Sequence, residues 1–463
     1  MHPLQPTDVS KAPLEERRQM SRSLIVLLAT GVLCGHGCQV AAAGLSFSDA
    51  RTMLQARSDA MHAASAELRF REYEAEAASA MGYPEVGLNA KEVGGHKTMD
   101  LGTFPVLGKI KKEVELGGPR SSITMNWPIY TGGRITAAQE AKAADTDVAR
   151  AEQRETAERL DSELVRRYFG LRLAEDVERL RLAQFEQANR DFERALQFEK
   201  QGQLSALERL SAQVARDEAE REYIKAGHER SAAEAALARL LRDAGPVQAA
   251  SPLFVLTRSL PPLAEWLAAA RETNPSMATL QARQNAAGQG LVVAQASYKP
   301  EVFAYGEYNL IKRNLSLTEP NWIAGVGVSI KLFAREDRAS KVNAARAQVE
   351  RVEALRAETR NRVEMAVEAA WLRADQARRQ FELFASSLEL ARENLRLRGR
   401  AFEEGQTTVL EVSEARNALL RAATGRAQIA YEFDMALISL LEACGQTGRY
   451  TEFLNTADVS LLP

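Results

Sequence analysis

Cysteine is scarce in this chain: three in 463 residues, with Cys34 and Cys38 close to the N-terminus and only Cys444 further on. That excludes a disulfide framework and any CxxC redox or zinc motif. The five histidines, His2, His36, His62, His96 and His228, show no metal-ligand spacing. Neither a P-loop nor a nucleophile elbow is present, and Gly325-Val326-Gly327 is a piece of strand rather than a nucleotide loop. We therefore expect no enzyme, no cofactor and no metal. Basic residues number 60 against 62 acidic, a net charge of −2. Without a basic excess to neutralise phosphates, nucleic acid is not an expected partner. No segment after the N-terminal leader approaches 18 consecutive apolar residues, so no transmembrane helix is expected. Membrane β-strands, whose signal is weak in each segment, are not excluded.

Aromatics make up only 6% of the chain, and Ala, Glu, Arg, Gln and Leu dominate. That composition belongs to long helices and coiled coils. At the N-terminus, Arg17, Arg18 and Arg22 precede the apolar run Leu24 to Cys34, and Ala41-Ala42-Ala43 follows. The run is too short for a bilayer span but fits a secretory signal peptide, with cleavage near Ala43. An uncleaved anchor is the competing reading. Gly35-His36-Gly37 makes a poor lipid-attachment motif before Cys38.

The sequence repeats itself. Trp127-Pro128-Ile129-Tyr130 and Ile330-Lys331-Leu332-Phe333 each precede a long charged run, ending at Gly202-Gln203 and Gly405-Gln406. The offset is 203 residues throughout, and it places Tyr168 on Trp371, Leu207 on Leu410, Glu208 on Glu411 and Ala212 on Ala415. Upstream, Tyr83-Pro84-Glu85-Val86 matches Lys299-Pro300-Glu301-Val302, and Ser58-Asp59 matches Asn274-Pro275, at an offset of 216. The first copy thus holds 13 extra residues, which we assign to an exposed loop between Gly94 and Pro119. A duplicated unit follows. The expected organisation is a signal peptide (1–43), a first repeat (44–245), a linker (246–262), a second repeat (263–445) and an irregular tail (446–463).

Within each copy the periodicity predicts a helix (45–80 in the first), two strands of about nine or ten residues, and a long helix. Val86 and Leu88, then Ile123, Met125 and Trp127, alternate with polar residues; Phe303, Tyr305 and Tyr308, then Val326, Val328 and Ile330, mark the second pair. The run 135–200 has no proline and one glycine, enough for a rod of about 100 Å. Tyr168, Leu171, Leu182, Phe185, Phe192 and Leu196 share two heptad positions, and Phe381, Leu388, Leu395 and Phe402 recur every seven. Gly202 and Gly405 then break the rods, so each copy forms a helical hairpin with a glycine tip. The fold class is mainly α with a small β part: a duplicated unit of long coiled-coil helices plus two strand pairs.

This arrangement resembles the TolC-type outer membrane efflux proteins. Trp127-Pro128-Ile129-Tyr130-Thr131-Gly132-Gly133-Arg134 looks like that family's strand-to-helix junction, with Pro128 ending the ladder and Gly132 and Gly133 letting the chain swing. Gly202, Gln203 and Leu207, with Gly405, Gln406 and Leu410, resemble its adaptor-contact tips. The second junction departs from the pattern, with Lys331 for proline and Ala334-Arg335-Glu336 for the glycines. The resemblance implies a homotrimer in a Gram-negative outer membrane, in contact with outer-membrane lipid. Its β-barrel would continue into a periplasmic α-barrel tunnel. It implies a periplasmic adaptor (membrane fusion) protein and an inner-membrane pump as partners. Four strands cannot close a barrel in lipid, whereas three chains supply twelve, which independently favours oligomerisation.

Glu411 and Glu414 lie one helical turn apart beyond Gly405 and are candidate gate residues, as is Glu208 in the first copy. Rings of carboxylates at a narrow mouth would attract cations; ordinary surface glutamates are the alternative. Trp127 and Trp322 suit either an interfacial aromatic belt or barrel-wall packing. The expected function is a passive exit duct for efflux or secretion. A periplasmic coiled-coil adaptor or scaffold without a pore is the rival, though an adaptor normally carries one hairpin.

Overall fold

The computed structural model describes residues 44–104, 108–243, 245–313, 315, 319–333, 335–404 and 406–461. The expected signal peptide, Gly405 and Ala334 of the second junction lie outside them.

The region expected as one helix over 45–80 is two, α1 (Phe47–Arg57) and α2 (Asp59–Ser79). Ser58 breaks it: in extended conformation, its hydroxyl accepts from Met61 N and caps α2. β1 (Glu85–Phe104) and β2 (Gly108–Tyr130) follow, then α3 (Arg134–Lys200) and α4 (Ala206–Leu241). After β3 (Leu253–Val255), the second copy runs α5 (Leu263–Thr273), α6 (Pro275–Ala296), β4 (Glu301–Asn309), β5 (Trp322–Ser329), α7 (Arg338–Glu403) and α8 (Val409–Cys444). Asn274 caps α6 as Ser58 caps α2, at the offset of the sequence match. The return helices α4 and α8 both end on a left-handed residue, Arg242 at φ 54° and Gly445 at φ 69°.

The tail beyond Cys444, expected to be irregular, instead forms α9 (Tyr450–Asn455) and β6 (Val459–Leu461). β6 pairs antiparallel with β3, inside the stretch read as a linker. Both segments fold because the rods offer them an apolar surface. Midway along α3 and α7 the core gathers Phe47, Tyr168, Phe169, Phe254, Phe433 and Tyr450, all at most 2% exposed. The rings of Phe47, Tyr168 and Phe169 meet each other, and those of Phe47 and Phe169 meet Tyr450, with centroids 5.1–5.7 Å apart. The Tyr168 hydroxyl donates to Leu45 O (2.6 Å) and accepts from Ser251 N (2.9 Å), tying both crossing segments to the rod.

On one side of this belt α2 and α6 flank α3: Gln153 bonds to Ser65 at 2.9 Å, and Arg283 pairs with Glu152 at 2.7 Å. On the other side α4 and α8 return along α3 and α7. Ala212, Ala219 and Ala226 repeat every seven residues and are buried, as are Ala415 and Ala422, so small side chains let the hairpin arms approach closely. Tyr168, Leu171, Phe381 and Leu388 are buried in the expected heptad seams, while Phe402 is 36% exposed near the tip.

The strands form one antiparallel sheet in the order β1-β2-β4-β5. β4 has the expected length, and β5, of eight residues, ends at Ser329, one residue short of Ile330. β1 and β2 are longer than expected: they span 20 and 23 residues, and the stretch from Gly94 to Pro119 is not a loop. Its register runs Gly94↔Gly117, Thr98↔Glu113 and on to Phe104↔Gly108. β4 stops pairing with β2 at Ser122↔Asn309, and among the described residues the rest of the hairpin is a two-stranded ribbon with no third strand beside it. With the two arms in register, each satisfies the other's N–H and C=O groups.

Candidate functional site

At the tip of the first hairpin Gly202 takes φ +71°. Its N–H donates to Glu199 O at 2.9 Å, and Gln203 N donates to Phe198 O at 2.9 Å, closing the helix end as a Schellman-type turn. In the second hairpin Gln406 N donates to Ala401 O at 2.8 Å, the same closure 203 residues on. Leu207 and Leu410 are 74% and 62% exposed. With Leu210, Val214 and Glu414 they border an open groove of about 710 Å³ between α4 and α8.

The three candidate gate glutamates have different surroundings. Glu208 completes a capping box: Glu208 N donates to Ser205 Oγ at 3.3 Å, and its carboxylate accepts from Ser205 N at 3.2 Å. That is a structural task. Glu411 is paired with Arg398 across the second hairpin and also accepts from the Thr407 hydroxyl. Glu414 lies on the groove shared with α4. Sequence reasoning missed Arg398, because nothing links it to Glu411 until the hairpin closes. It also missed the contacts that join the two hairpins, Arg416 to Asp191 and Gln184 to Asn417 (2.9 Å).

At the junction, Gly132 and Gly133 adopt φ +66° and +89°, and Gly133 caps α3. A Cβ on Gly132 would stand 2.7 Å from Lys299 Cβ, and Lys299 Nζ donates to Gly132 O at 3.1 Å. Glycine is needed there for both conformation and space. Pro128 does not end the ladder: it faces Phe303, and pairing resumes with a register shift at Tyr130↔Val302. Proline is tolerated because the irregularity falls beside it.

The sheet has two unlike faces. Val86, Leu88, Ile123, Met125, Trp127, Val326 and Val328 form one exposed apolar face, between 36% and 71% exposed. Trp127 with Tyr130 and Trp322 with Tyr308 stand at its two ends. From Ile123 to Tyr130 this band is about 25 Å along the strand, the height of a barrel's lipid-facing belt. The Trp127 indole also donates to Gly82 O at 3.0 Å. The opposite face carries Glu85, Asn89, Ser122, Thr124, Asn126 and Glu307. Among the described residues no helix is long and apolar enough to cross a membrane, and no group of His, Cys, Asp or Glu is arranged to hold a metal.

Near the belt, carboxylates hold the crossing segments. Asp161 pairs with Arg51 at 2.6 Å and accepts from Thr447 Oγ1 at 3.2 Å. Glu158 accepts from Thr447 N at 2.7 Å, and Glu175 from Ala249 N at 3.3 Å. Burial pushes Glu158, Glu175 and Asp176 above the usual carboxylate range, against the pull of these donors and nearby arginines. Burial likewise raises the Cys444 thiol to about 12, which leaves it inert.

A mainly helical chain with paired coiled-coil hairpins and a membrane-height sheet defines a channel-forming class. The chain belongs to the outer membrane efflux protein family, which matches residues 51–241 and 266–446. Protein CyaE of Bordetella pertussis is 27% identical over 418 residues, covering 88% of this chain and 85% of the relative. The Campylobacter jejuni CmeC outer membrane channel shares the fold with a TM-score of 0.73 at 12% identity, covering 89% of each chain. The Vibrio cholerae outer membrane protein VceC does so at 0.71 and 15%, covering 86% of this chain and 96% of its own. The function class is that of an exit duct for efflux or secretion in the outer membrane.

Proposed function

We propose that three copies of this chain assemble into a continuous duct, with twelve strands spanning the outer membrane and the helices forming a tunnel in the periplasm. The observation that carries this reading is the four-stranded sheet: among the described residues no strand pairs with the outer edges of β1 and β5, and one face is apolar at bilayer height. Open edges cannot stand in lipid, and twelve strands enclose a lumen. α7 adds support. Beside its buried row Phe381 and Leu388 runs a second row, Leu383, Leu390 and Leu397, which is 70%, 70% and 53% exposed. Such a row at heptad spacing asks for a neighbouring helix.

In this reading each repeat (44–245 and 263–445) supplies one strand pair and one hairpin, and 246–262 with 446–463 form the belt around them. The tips at Gly202 and Gly405, with Gln203, Gln406, Leu207 and Leu410, receive a periplasmic adaptor that connects the duct to an inner-membrane pump. The groove between α4 and α8 suits apolar side chains of a helical partner. Glu411 and Glu414 form carboxylate rings at the narrow periplasmic mouth, and Arg398 clasps Glu411. The duct is passive, and the pump supplies the energy.

The test is fractionation followed by conductance. The protein should be extracted from outer membranes by detergent as a trimer that dissociates only on heating, and it should conduct in planar bilayers. A soluble periplasmic monomer would overturn the proposal.

A further inference from the structure

We infer that the inner wall of the barrel carries a transit subsite for small organic cations, built on the rings of Phe303 and Tyr305. The inference rests on the duct reading in one respect: that reading makes this face of the sheet the lumen. Phe303 and Tyr305 lie on β4 opposite to Val302 and Ala304, on the face with Glu85 and Asn126. Their partners on β5 are both glycine, Phe303↔Gly327 and Tyr305↔Gly325. A Cβ on Gly327 would stand 2.6 Å from the Phe303 ring, and one on Gly325 would stand 3.0 Å from the Tyr305 hydroxyl oxygen and 3.1 Å from its ring. The two rings therefore lean over the backbone of β5, with centroids 6.1 Å apart and planes tilted by 47°. Each ring covers a glycine, Phe303 is half-buried and Tyr305 is 39% exposed.

Shielding two strand glycines accounts for the pose of the rings. It does not account for the charges beside them. Glu307 sits two residues from Tyr305 on the same face, and Glu85 shares its row through Asn126. Among the described residues neither Glu85 nor Glu307 has an ion-pair partner, whereas Glu301 is matched by Arg134 at 3.3 Å. A cavity of about 410 Å³ opens beside Phe303, with Glu85, Asn126 and Arg134 on its walls. That volume is in the range that holds a small organic molecule. Ring faces attract cations, and they discriminate for a weakly hydrated ammonium on an apolar body over a strongly hydrated metal ion. Two carboxylates without an ion-pair partner among the described residues, on the same sheet face as two partly exposed rings, recognise that chemistry.

The probe is benzyltrimethylammonium, with neutral benzyl alcohol as the uncharged control. Saturation-transfer NMR on the detergent-extracted trimer reads binding without needing an open channel, and planar-bilayer current reads it in the duct. The probe should bind wild type. Affinity should fall by about tenfold in Phe303→Leu/Tyr305→Leu and in Glu85→Gln/Glu307→Gln, the second pair preserving shape. Benzyl alcohol should bind all three proteins alike. Equal probe affinity in wild type and both variants overturns the subsite, and a current that persists in that case leaves the duct standing. Affinity lost in both variants while wild-type trimers carry no current keeps the cation site and removes the duct reading.

Discussion

Asp434 sits on α8 in the middle of the aromatic belt and is fully buried. The Tyr450 hydroxyl and Phe254 N–H face its carboxyl, yet no well-formed hydrogen bond reaches either oxygen. Complete burial pushes it well above the ordinary carboxylate range, and the phenols facing it are those of Tyr450 and Tyr431 rather than cations. The stability that depends on its neutral form is fully present below the unfolded-state pKa of about 3.9, and is lost as pH rises toward the folded value. Asp434→Asn keeps the shape without the charge. Its melting temperature should fall less steeply than wild type from about pH 4 upward, and parallel curves would show that Asp434 does not titrate this way. Glu411 is the opposite case. Its pair with Arg398 is 42–48% exposed, so Glu411→Gln should change stability by less than about 1 kcal/mol. The double change Glu411→Gln, Glu414→Gln should weaken cation selectivity and multivalent-cation block from the periplasmic side without altering assembly. Unchanged bilayer recordings would make both residues ordinary surface glutamates.

Among the elements, the hairpin tips and the ribbon invite direct tests. At φ +71°, Gly202 occupies backbone space that a β-branched residue enters at a cost of about 1 kcal/mol or more. Gly202→Val combined with Gly405→Val should reduce export while trimer levels in the membrane stay normal, because the rods themselves are held at the belt. Full export in the double variant would show that the tips are not the docking point. Among the described residues the ribbon beyond Asn89 and Ser122 has no third strand beside it. In the duct it stands on the extracellular side. An epitope inserted between Phe104 and Gly108 should bind antibody on intact cells, and labelling seen only after permeabilisation would reverse the topology.

At the scale of the whole molecule the exposed leucines of α7 are the clearest demand for company. Burying a leucine fully stabilises by about 1.5–3 kcal/mol, and three chains present nine of them. Leu383→Gln, Leu390→Gln, Leu397→Gln should leave the helix content of the chain unchanged and lower the temperature at which trimers dissociate. A trimer of wild-type heat resistance would place the subunit interface elsewhere.

The duplication, the rods, the left-handed glycine at the first tip, Gly202, and the junction glycines could be read from the sequence alone. Each depends on local chemistry: proline-free heptads make long helices, and positive φ favours glycine. The caps at Ser58 and Asn274 were present as an aligned pair, although the helix break at Ser58 was not read from it. Other features belong to tertiary structure. Glu208 and Glu411 occupy the same place in the repeat, yet one closes a capping box and the other meets Arg398, because only the second hairpin brings an arginine to that spot. The ribbon was mistaken for a loop because glycines and mixed polarity hide a strand until its partner fixes the register. The tail became helix and strand only because the belt offered it Phe254 and β3. The rings over Gly325 and Gly327 are likewise a cross-strand fact: two glycines in β5 mean little until the register sets Phe303 and Tyr305 above them. Local backbone preference is written along the chain, whereas a side chain's partner is set by which distant segment the fold carries to it.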